Sequence, residues 1–403
     1  MTADRYVVAA PVTWPTPPGF MSVSALADIE ACPMRWTLTH AGYEGARSES
    51  RYPAAPSIAA ITGTTVHRAI EIVLRAFSAA GISDFSDAGA VAVLRQLGGF
   101  TQILEELVAK EIAELASNFR AAQRLPQLER ALRGRIPEMR SQVQGLLARL
   151  SFTPGASGLA HGVGAGRRSL GAGTFSEVNV SALTPAWRGI IDLVTLTDST
   201  CEIRDFKTGA RHPQHIFQVQ VYALLWARDA RANPSGRLAT RLVLSYPDGE
   251  ADAPVLGPME VELLEANLTS RAQSAVNSIA GPNTATLPSQ ENCRFCSVRQ
   301  LCEPYWESDV QATATVERTV FGDIEVEIGS RRGPLTWNAR TTRRAVLAAD
   351  TELVVQYDIE RGEITDGQRI RLMQVAVTLD SENQSGLPSA AVTRESELFH
   401  LQP

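Results

Sequence analysis

The stretch "WRGIIDLVTLTDSTCEIRDFKTG", residues 187–209, reads as two apolar strands that are joined by a short polar turn. Residues two apart in a strand lie on the same face, so Asp205 and Lys207 are predicted to point the same way while Phe206 points into the core. Asp192 ends the first strand, in "RGIID". Neighbouring strands are therefore predicted to bring two carboxylates and one ammonium group together.

Lysine is rare in this chain, because Lys110 and Lys207 are the only two lysines among 38 Lys and Arg residues. A lysine is a compact point charge on a long stem, which the planar guanidinium of arginine is not. Two carboxylates can hold Mg²⁺ or Mn²⁺, which activates water and stabilises a pentavalent phosphorane, while an ammonium group orients the nucleophile or offsets developing charge. The set Asp192, Asp205 and Lys207 therefore suits phosphodiester hydrolysis.

Four further residues strengthen this interpretation. Glu177 lies on the preceding predicted strand, in "FSEVNV", and His67 in "GTTVH" offers a nitrogen ligand that Mn²⁺ accepts. Gln218 and Tyr222 in "QVQVY" lie one helical turn apart and suit substrate binding or orientation of the lysine. Each residue also has an ordinary interpretation: a solvated ion pair, a capping or core histidine, plain helix residues, or a surface strand residue.

The order of these motifs resembles the RecB-like nucleases of the PD-(D/E)xK superfamily, which include the AddB nuclease domain and CRISPR-associated RecB-like exonucleases. The resemblance spans about residues 22–306 and rests on seven stretches of the sequence: "SVSALADIEACP", "GTTVH", "SEV", "GIID", "DFKTG", "QVQVY" and "CRFCSVRQLC". It implies that His67, Asp192, Asp205 and the Phe206 carbonyl bind the metal ion. It also implies that Lys207 is the catalytic lysine, that Gln218 and Tyr222 form the family's Q-x3-Y pair, and that Glu177 occupies an acidic position of the catalytic site.

The cysteines indicate a second metal site. Cys293, Cys296 and Cys302 lie close together in the sequence, whereas Cys32 lies far before them. Such a run in a cytosolic chain favours metal binding over disulfides, and the residues alone leave zinc, an iron–sulfur cluster and no metal open. The RecB-like relatives with this one-plus-three arrangement carry a 4Fe-4S cluster, so the resemblance implies the same here. Cys201 is predicted to be buried and inert.

The predicted fold class is α/β, a restriction-endonuclease-like mixed sheet flanked by helices. We predict an irregular segment over 1–21 and a nuclease domain over 22–306 with a helical insertion at about 83–150. A β-rich domain over 311–403, with an OB-like barrel as one candidate, is predicted to follow because its segments alternate and are broken by turn-formers.

Several local predictions can be compared directly with the structure. A short helix is predicted to end near Pro33, and His67 is placed in the first turn of the next helix. Two or three helices are expected in residues 87–150, a glycine-rich loop at 154–173, and a short strand at "MEVELL", residues 259–264.

Arginines cluster in the predicted β-rich domain around "GSRRGPLTWNARTTRR". Trp337 lies among them as a candidate platform for stacking bases. The candidate nucleic-acid-binding residues are Arg331, Arg332, Trp337, Arg340, Arg343 and Arg344. A solvated turn and a contact surface for another subunit are equally compatible with this pattern.

The composition excludes several classes of protein. No window of 18 uninterrupted apolar residues occurs, and residues 1–20 lack the layout of a signal peptide, so we predict a cytoplasmic protein with no membrane partner. No G-x4-GK[ST] motif is present, and a net charge of −6 gives no general attraction for nucleic acid.

We therefore predict a metal-dependent deoxyribonuclease and, more specifically, an exonuclease that acts on single-stranded DNA ends in repair, recombination or defence. Its expected cofactors are Mg²⁺ or Mn²⁺ and a 4Fe-4S cluster, and a helicase or another repair or defence subunit is a candidate partner in trans. The alternative is a non-catalytic nucleic-acid-binding subunit of a helicase–nuclease complex, in which the cluster stabilises the scaffold.

Overall fold

The computed structural model describes residues 7–43, 52–122, 124–152, 169–182, 186–279, 281–358, 364–379 and 386–401. The glycine-rich loop predicted at 154–173 falls largely outside the described residues. In the described part, the chain forms a five-stranded sheet between two layers of helices, followed by a β-barrel. None of the described helices is both long and apolar enough to cross a membrane.

The first three helices confirm one local prediction and correct another. Helix α1 is Val23–Ala31 and ends two residues before Pro33, as predicted. Pro33 also begins a second helix, α2 (Pro33–His40), which was not predicted. Proline suits the first turn of a helix because its missing N–H would have no intrahelical partner there. Helix α3 is Ile58–Ala80, capped by the side chain of Ser57, which places His67 in the middle of the helix and not in its first turn.

The helical insertion contains more helices than predicted. They are α4 (Ala88–Gln96), α5 (Gly99–Leu115), the short α6 (Phe119–Ala122), α7 (Leu125–Gly134) and α8 (Ile136–Leu147). The break between α4 and α5 falls at Gly98 and Gly99, whose φ angles of 77° and 81° favour glycine. Buried apolar side chains of α3, α5 and α8 form one core.

The five-stranded sheet is mixed, as predicted. Its strands are β2 (Gly173–Ala182), β3 (Trp187–Leu196), β4 (Cys201–Phe206), β5 (Arg241–Tyr246) and β6 (Gly249–Ala253), in that order across the sheet. Strands β4 and β5 run parallel, and the other neighbours are antiparallel. Helix α9 (Pro213–Arg228) makes the crossover that parallel pairing requires.

Helices cover both faces of this sheet. Helix α9 and helix α10 (Pro258–Ser278) pack on one face, while Leu193 and Phe206 join the core of α3 and the insertion on the other. The predicted strand at 259–264 is wrong, because these residues lie in α10. The apolar side chains of Met259 and Leu263, which suggested alternation, are exposed, while Val261 and Leu268 face the core.

The C-terminal region is all-β, as predicted. After the short helices α11 (Gln290–Cys293) and α12 (Glu303–Glu307) come β7 (Ala312–Val316), β8 (Thr319–Gly333), β9 (Thr336–Thr341), β10 (Glu352–Tyr357), β11 (Arg369–Thr378), β12 (Ser389–Val392) and β13 (Glu397–Leu401). Strands β8, β9, β10, β12 and β11 form a ring, which the β11–β8 pairing closes. This five-stranded closed barrel has the strand order of an OB fold. Strand β1 (Val7–Val8) adds to β13.

Buried ion pairs hold the barrel against the helices and loops that precede it. Arg120 of α6 donates to both oxygens of Glu397 at 2.8 and 2.7 Å. Arg299 pairs with Asp323 of β8, with an N–O distance of 2.6 Å. Arg371 of β11 pairs with Glu325 of β8 inside the barrel at 2.9 Å, and it joins this pair to the preceding part of the chain through Glu303 of α12 at 2.6 Å. We call these three pairs the seam.

Candidate active site

Three acidic residues lie in a row across neighbouring strands. The register of β2 on β3 places Glu177 opposite Asp192. One residue beyond the last pair of β3 with β4, the same register places Asp192 opposite Asp205. Asp192 therefore stands between the other two carboxylates.

Lys207 joins this row to helix α9 through a chain of polar contacts. Its Nζ lies 2.6 Å from Asp205 Oδ2 and donates to Gln218 Oε1 at 2.9 Å. Gln218 Nε2 in turn donates to the Tyr222 hydroxyl at 2.8 Å. Gly189 permits this arrangement, because a Cβ there would lie 2.9 Å from the Tyr222 ring. The structure thus brings together the predicted lysine, one predicted carboxylate and the Q-x3-Y pair.

Helix α3 approaches the row from the other side of the sheet. His67 Nδ1 lies 3.6 Å from Asp192 Oδ1, and Asp192 Oδ2 accepts a 2.6 Å hydrogen bond from the Phe206 N–H. The Phe206 ring is buried, as expected, and packs edge-on to His67 at 6.3 Å. That the Phe206 carbonyl binds a metal ion stays a prediction.

The two outer acids of the row, Glu177 and Asp205, have raised pKa values. Burial and the charge of Asp192 raise the pKa of Asp205 to about 7, against the opposing effect of Lys207. Burial, Asp192 and Glu71 raise the pKa of Glu177 to about 7. Burial alone would lower the pKa of His67, but the hydrogen bond and the charge of Asp192 outweigh it and raise that pKa. Like charges have been placed close together in a partly buried site.

The structure adds one residue to the neighbourhood that the sequence reasoning missed. Glu71 lies one turn after His67 on α3, and its charge acts on Glu177. The i, i+4 spacing from His67 was the signal that would have found it. Glu71 is itself paired with Arg75.

The backbone of Glu177 is strained. Its φ is 52°, which is an unfavourable conformation for a non-glycine residue in a strand.

The site contains the types of ligand atom that bind a hard divalent cation. Carboxylate oxygens and an imidazole nitrogen face one another, and Asp205 Oδ2 is buried and accepts no well-directed hydrogen bond despite its contact with Lys207. Across the described residues, however, no three His, Cys, Asp or Glu side chains are arranged so that they could hold a metal ion. Binding would therefore require rearrangement of side chains.

All four predicted cluster cysteines line one small cavity. Cys32, Cys293 and Cys296 are buried and Cys302 is half-buried, and none of them forms a disulfide. Burial raises the pKa of Cys296 to about 11, and burial together with the other three thiols raises that of Cys302 to about 12. Soft metal centres favour thiolate sets of this composition, but within the described residues these four thiols are not arranged as a ready set of metal ligands. Cys201 is buried elsewhere, and burial raises its pKa to about 11.

The candidate nucleic-acid-binding residues of the barrel divide into two groups. Arg331 lies over the Trp337 ring at 5.6 Å, and Arg332 is exposed beside them. The others pair with acids: Arg340 with Glu352, Arg344 with Asp309, and Arg343 with both Glu303 and Glu325 at the seam. Trp337 also packs against the barrel core, so its ring is only partly open to a base.

Comparisons with known proteins bear on the nuclease region. A family model described as the PD-(D/E)XK nuclease superfamily matches residues 21–303, which include every candidate catalytic residue and all four cluster cysteines. No curated protein matches the chain.

Two solved structures were also found to be similar. One is the tetrameric p202 HIN2, which is 16% identical with a TM-score of 0.17. The match covers 22% of this chain and 44% of the p202 chain. The other, the p204 HINb domain, is 12% identical with a TM-score of 0.17, and the match covers 58% of this chain and 98% of that one.

Proposed function

The chain belongs to the PD-(D/E)XK nuclease superfamily, and from this premise we propose that it is a metal-dependent deoxyribonuclease. We further propose an exonuclease of the RecB-like type that acts on single-stranded DNA ends in repair, recombination or defence. The observation that carries this proposal is the row of Glu177, Asp192 and Asp205 with Lys207 beside it. Structural charges are normally paired with opposite charges, whereas the charge of Asp192 raises the pKa of both Glu177 and Asp205.

Each residue has a distinct task in the proposed reaction. Asp192, Asp205 and His67, with the Phe206 carbonyl, would hold Mg²⁺ or Mn²⁺, and Glu177 lies beside them. The bound ion would lower the pKa of a water ligand and offset charge on the phosphate. Gln218 and Tyr222 hold the ammonium group of Lys207 next to this point. From there Lys207 can orient the attacking water or offset charge on a phosphate oxygen.

A second candidate is a non-catalytic nucleic-acid-binding subunit of a helicase–nuclease complex, since this superfamily includes non-catalytic members. It is favoured by the absence, among the described residues, of a ready set of three metal ligands. The short Lys207–Asp205 ion pair would in that case be a purely structural contact.

Degradation of end-labelled single-stranded DNA with Mn²⁺ distinguishes the two candidates. The chain supplies a matched control, because its other lysine, Lys110, is exposed on α5. We expect Lys207→Ala to abolish degradation and Lys110→Ala to retain it, with similar melting temperatures. Equal activity of wild type and Lys207→Ala would refute the catalytic assignment, and inactivity of all three proteins would favour the subunit. Labelling each end separately would give the polarity.

We also propose that Cys32, Cys293, Cys296 and Cys302 hold a 4Fe-4S cluster with a structural role. The support is their convergence on one cavity although Cys32 lies far from the others in sequence. Cys296→Ala is expected to lose iron, acid-labile sulfide and brown colour, and to be poorly soluble, whereas Cys201→Ala should keep all three. Zinc in place of iron in anaerobically purified protein would contradict the assignment.

The remaining assignments are also proposals. We propose a cytoplasmic protein whose partners are DNA and, in trans, a helicase or another repair or defence subunit. The barrel is proposed to contact nucleic acid through Arg331, Arg332 and Trp337, which lie at its β8–β9 turn, and through Arg340, Arg343 and Arg344. The strand order of the barrel supports this, because OB folds bind oligonucleotides with the strand 2–3 face and adjoining loops.

A further inference from the structure

A wide groove leads away from the candidate active site on the α9 side of the sheet. Lys207, Gln218 and Tyr222 line part of it, and α1, β3 and α10 complete its walls. Its volume is about 1590 Å³. A small-molecule pocket occupies roughly 300–1,000 Å³, so this groove is large enough for several linked nucleotides.

The groove is basic although the whole chain carries a net charge of −6. Four arginines line it in addition to Lys207: Arg188, Arg228, Arg231 and Arg271. Arg271 is paired with Glu30, and Arg228 with Glu265. Arg188 and Arg231 are exposed, and within the described ranges no carboxylate pairs with either guanidinium. These two arginines are therefore available to an anionic ligand.

Exposed apolar groups lie beside one of these free arginines. Phe20 is 47% exposed and Ile190 is 48% exposed, and both line the groove. The Arg188 guanidinium stands 6.0 Å from the centroid of the Phe20 ring. An open aromatic ring next to an unpaired arginine offers one surface to a base and one charge to a phosphate.

We propose that this groove binds the single-stranded part of a nucleic-acid substrate, with Phe20 stacking on a base and Arg188 and Arg231 contacting phosphates. The inference rests on the proposed function, since the groove ends at Lys207. A duplex keeps its bases stacked inside, so it cannot use Phe20 in this way. The groove therefore selects a single strand before chemistry occurs.

Binding measured without cleavage tests the proposal. The full chain is titrated against fluorescein-labelled (dT)12 and a 12-base-pair duplex in EDTA, with fluorescence anisotropy as the readout. Loss of one stacked base weakens binding about five- to a hundredfold, so Phe20→Ala should do so for (dT)12 only, and Phe20→Trp should restore it. Arg188→Ala and Arg231→Ala should each reduce the slope of log K against log salt by about 0.7, a change that Phe20→Ala should not produce.

Arg95→Ala, an exposed arginine on α4 outside the groove, is the matched control and should bind like the wild type. Circular dichroism establishes that each variant is folded. Unchanged (dT)12 affinity in Phe20→Ala and Arg188→Ala, or an equal loss for duplex, would overturn the inference. If Lys207→Ala still abolishes cleavage in that case, the proposed function stands without the groove. Failure of the wild type to bind or cleave DNA would overturn both.

Discussion

The seam and the active site are both built from charged side chains withdrawn from water, but their electrostatics are opposite. At the seam each acid faces a cation. Burial alone would raise the pKa of Glu397, but the hydrogen bonds and charge of Arg120 lower it below its ordinary value. Hydrogen bonds from Thr342, Arg371 and Arg369 likewise lower the pKa of Glu325 against the effect of burial.

In the active site, acids face acids. Asp205 and Glu177 both have a pKa of about 7, because burial and the charge of Asp192 disfavour their ionised forms. Removing one partner of a buried ion pair lowers the free energy of unfolding, because the other charge is left uncompensated. Like charges that lie close together already lower the free energy of unfolding through their repulsion. The difference indicates that the seam stabilises the fold, and it supports the proposed catalytic role of the row of acids.

Removing one acid of the row should produce the largest effect and separate activity from stability. Asp192→Asn should lose several kcal/mol of transition-state stabilisation, or about a thousandfold in rate, because it removes a proposed metal ligand. Its free energy of unfolding should stay the same or rise by about 1 kcal/mol, since repulsion is relieved. Degradation assays and urea denaturation measure the two. A clear loss of stability would refute the comparison.

Breaking the seam should produce the reverse pattern. Arg371→Leu leaves Glu325 buried with less compensation and should lower the free energy of unfolding by about 3–5 kcal/mol. Arg371 is remote from the proposed chemistry, so the folded fraction should keep its specific activity. Denaturation in parallel with activity per folded molecule tests this. A stable but inactive variant would show that the seam takes part in function.

Acid should weaken the seam through Glu397. Its pKa in the folded protein is below the ordinary 4.5, so its contribution is complete above about pH 4.5 and is lost as the pH falls through the folded value. At neutral pH, Glu397→Gln should be less stable than wild type by about 2 kcal/mol, the usual contribution of a charged hydrogen bond. This difference should shrink towards pH 3 in denaturation curves. A constant difference would mean that Arg120 and Glu397 do not act through charge.

Removing an exposed ion pair on the barrel should have the smallest effect on the free energy of unfolding, and it serves as a reference for the buried pairs. Arg340 and Glu352 lie 3.2 Å apart with side chains 60% and 63% exposed. Arg340→Ala should therefore change the free energy of unfolding by less than about 1 kcal/mol. A loss as large as that of Arg371→Leu would show that burial does not explain the strength of the seam.

The local sequence pattern was sufficient to predict the relative positions of four residues of the site. Asp205 lies in β4 and Lys207 directly follows that strand, so the strand period predicts their shared face. The helix period likewise predicts that Gln218 and Tyr222 share a face of α9. The structure brings these four residues into the contacts that this geometry requires. Their roles in catalysis remain predictions until the variants are measured.

The local sequence pattern was not sufficient where a segment fits both the strand period and the helix period, or where the partner of a charged residue is distant in the sequence. Alternation in "MEVELL" predicted a strand, but packing of Val261 and Leu268 against the sheet stabilises a helix whose other apolar residues are exposed. The sequence also gave no sign that Arg343 pairs with Glu303 and Glu325 at the seam, and its contact with nucleic acid stays a prediction.

By itself, the sequence determined the fold class, the order of the motifs and the residue types that the proposed chemistry needs. Only the tertiary structure decided that Glu177, Asp192 and Asp205 form one row, that Arg120 meets Glu397 277 positions later, and that β11 closes the barrel on β8. The reason is physical. Periodicity reports which face a residue occupies relative to its near neighbours, whereas strand register and buried charge pairing depend on contacts between distant parts of the chain.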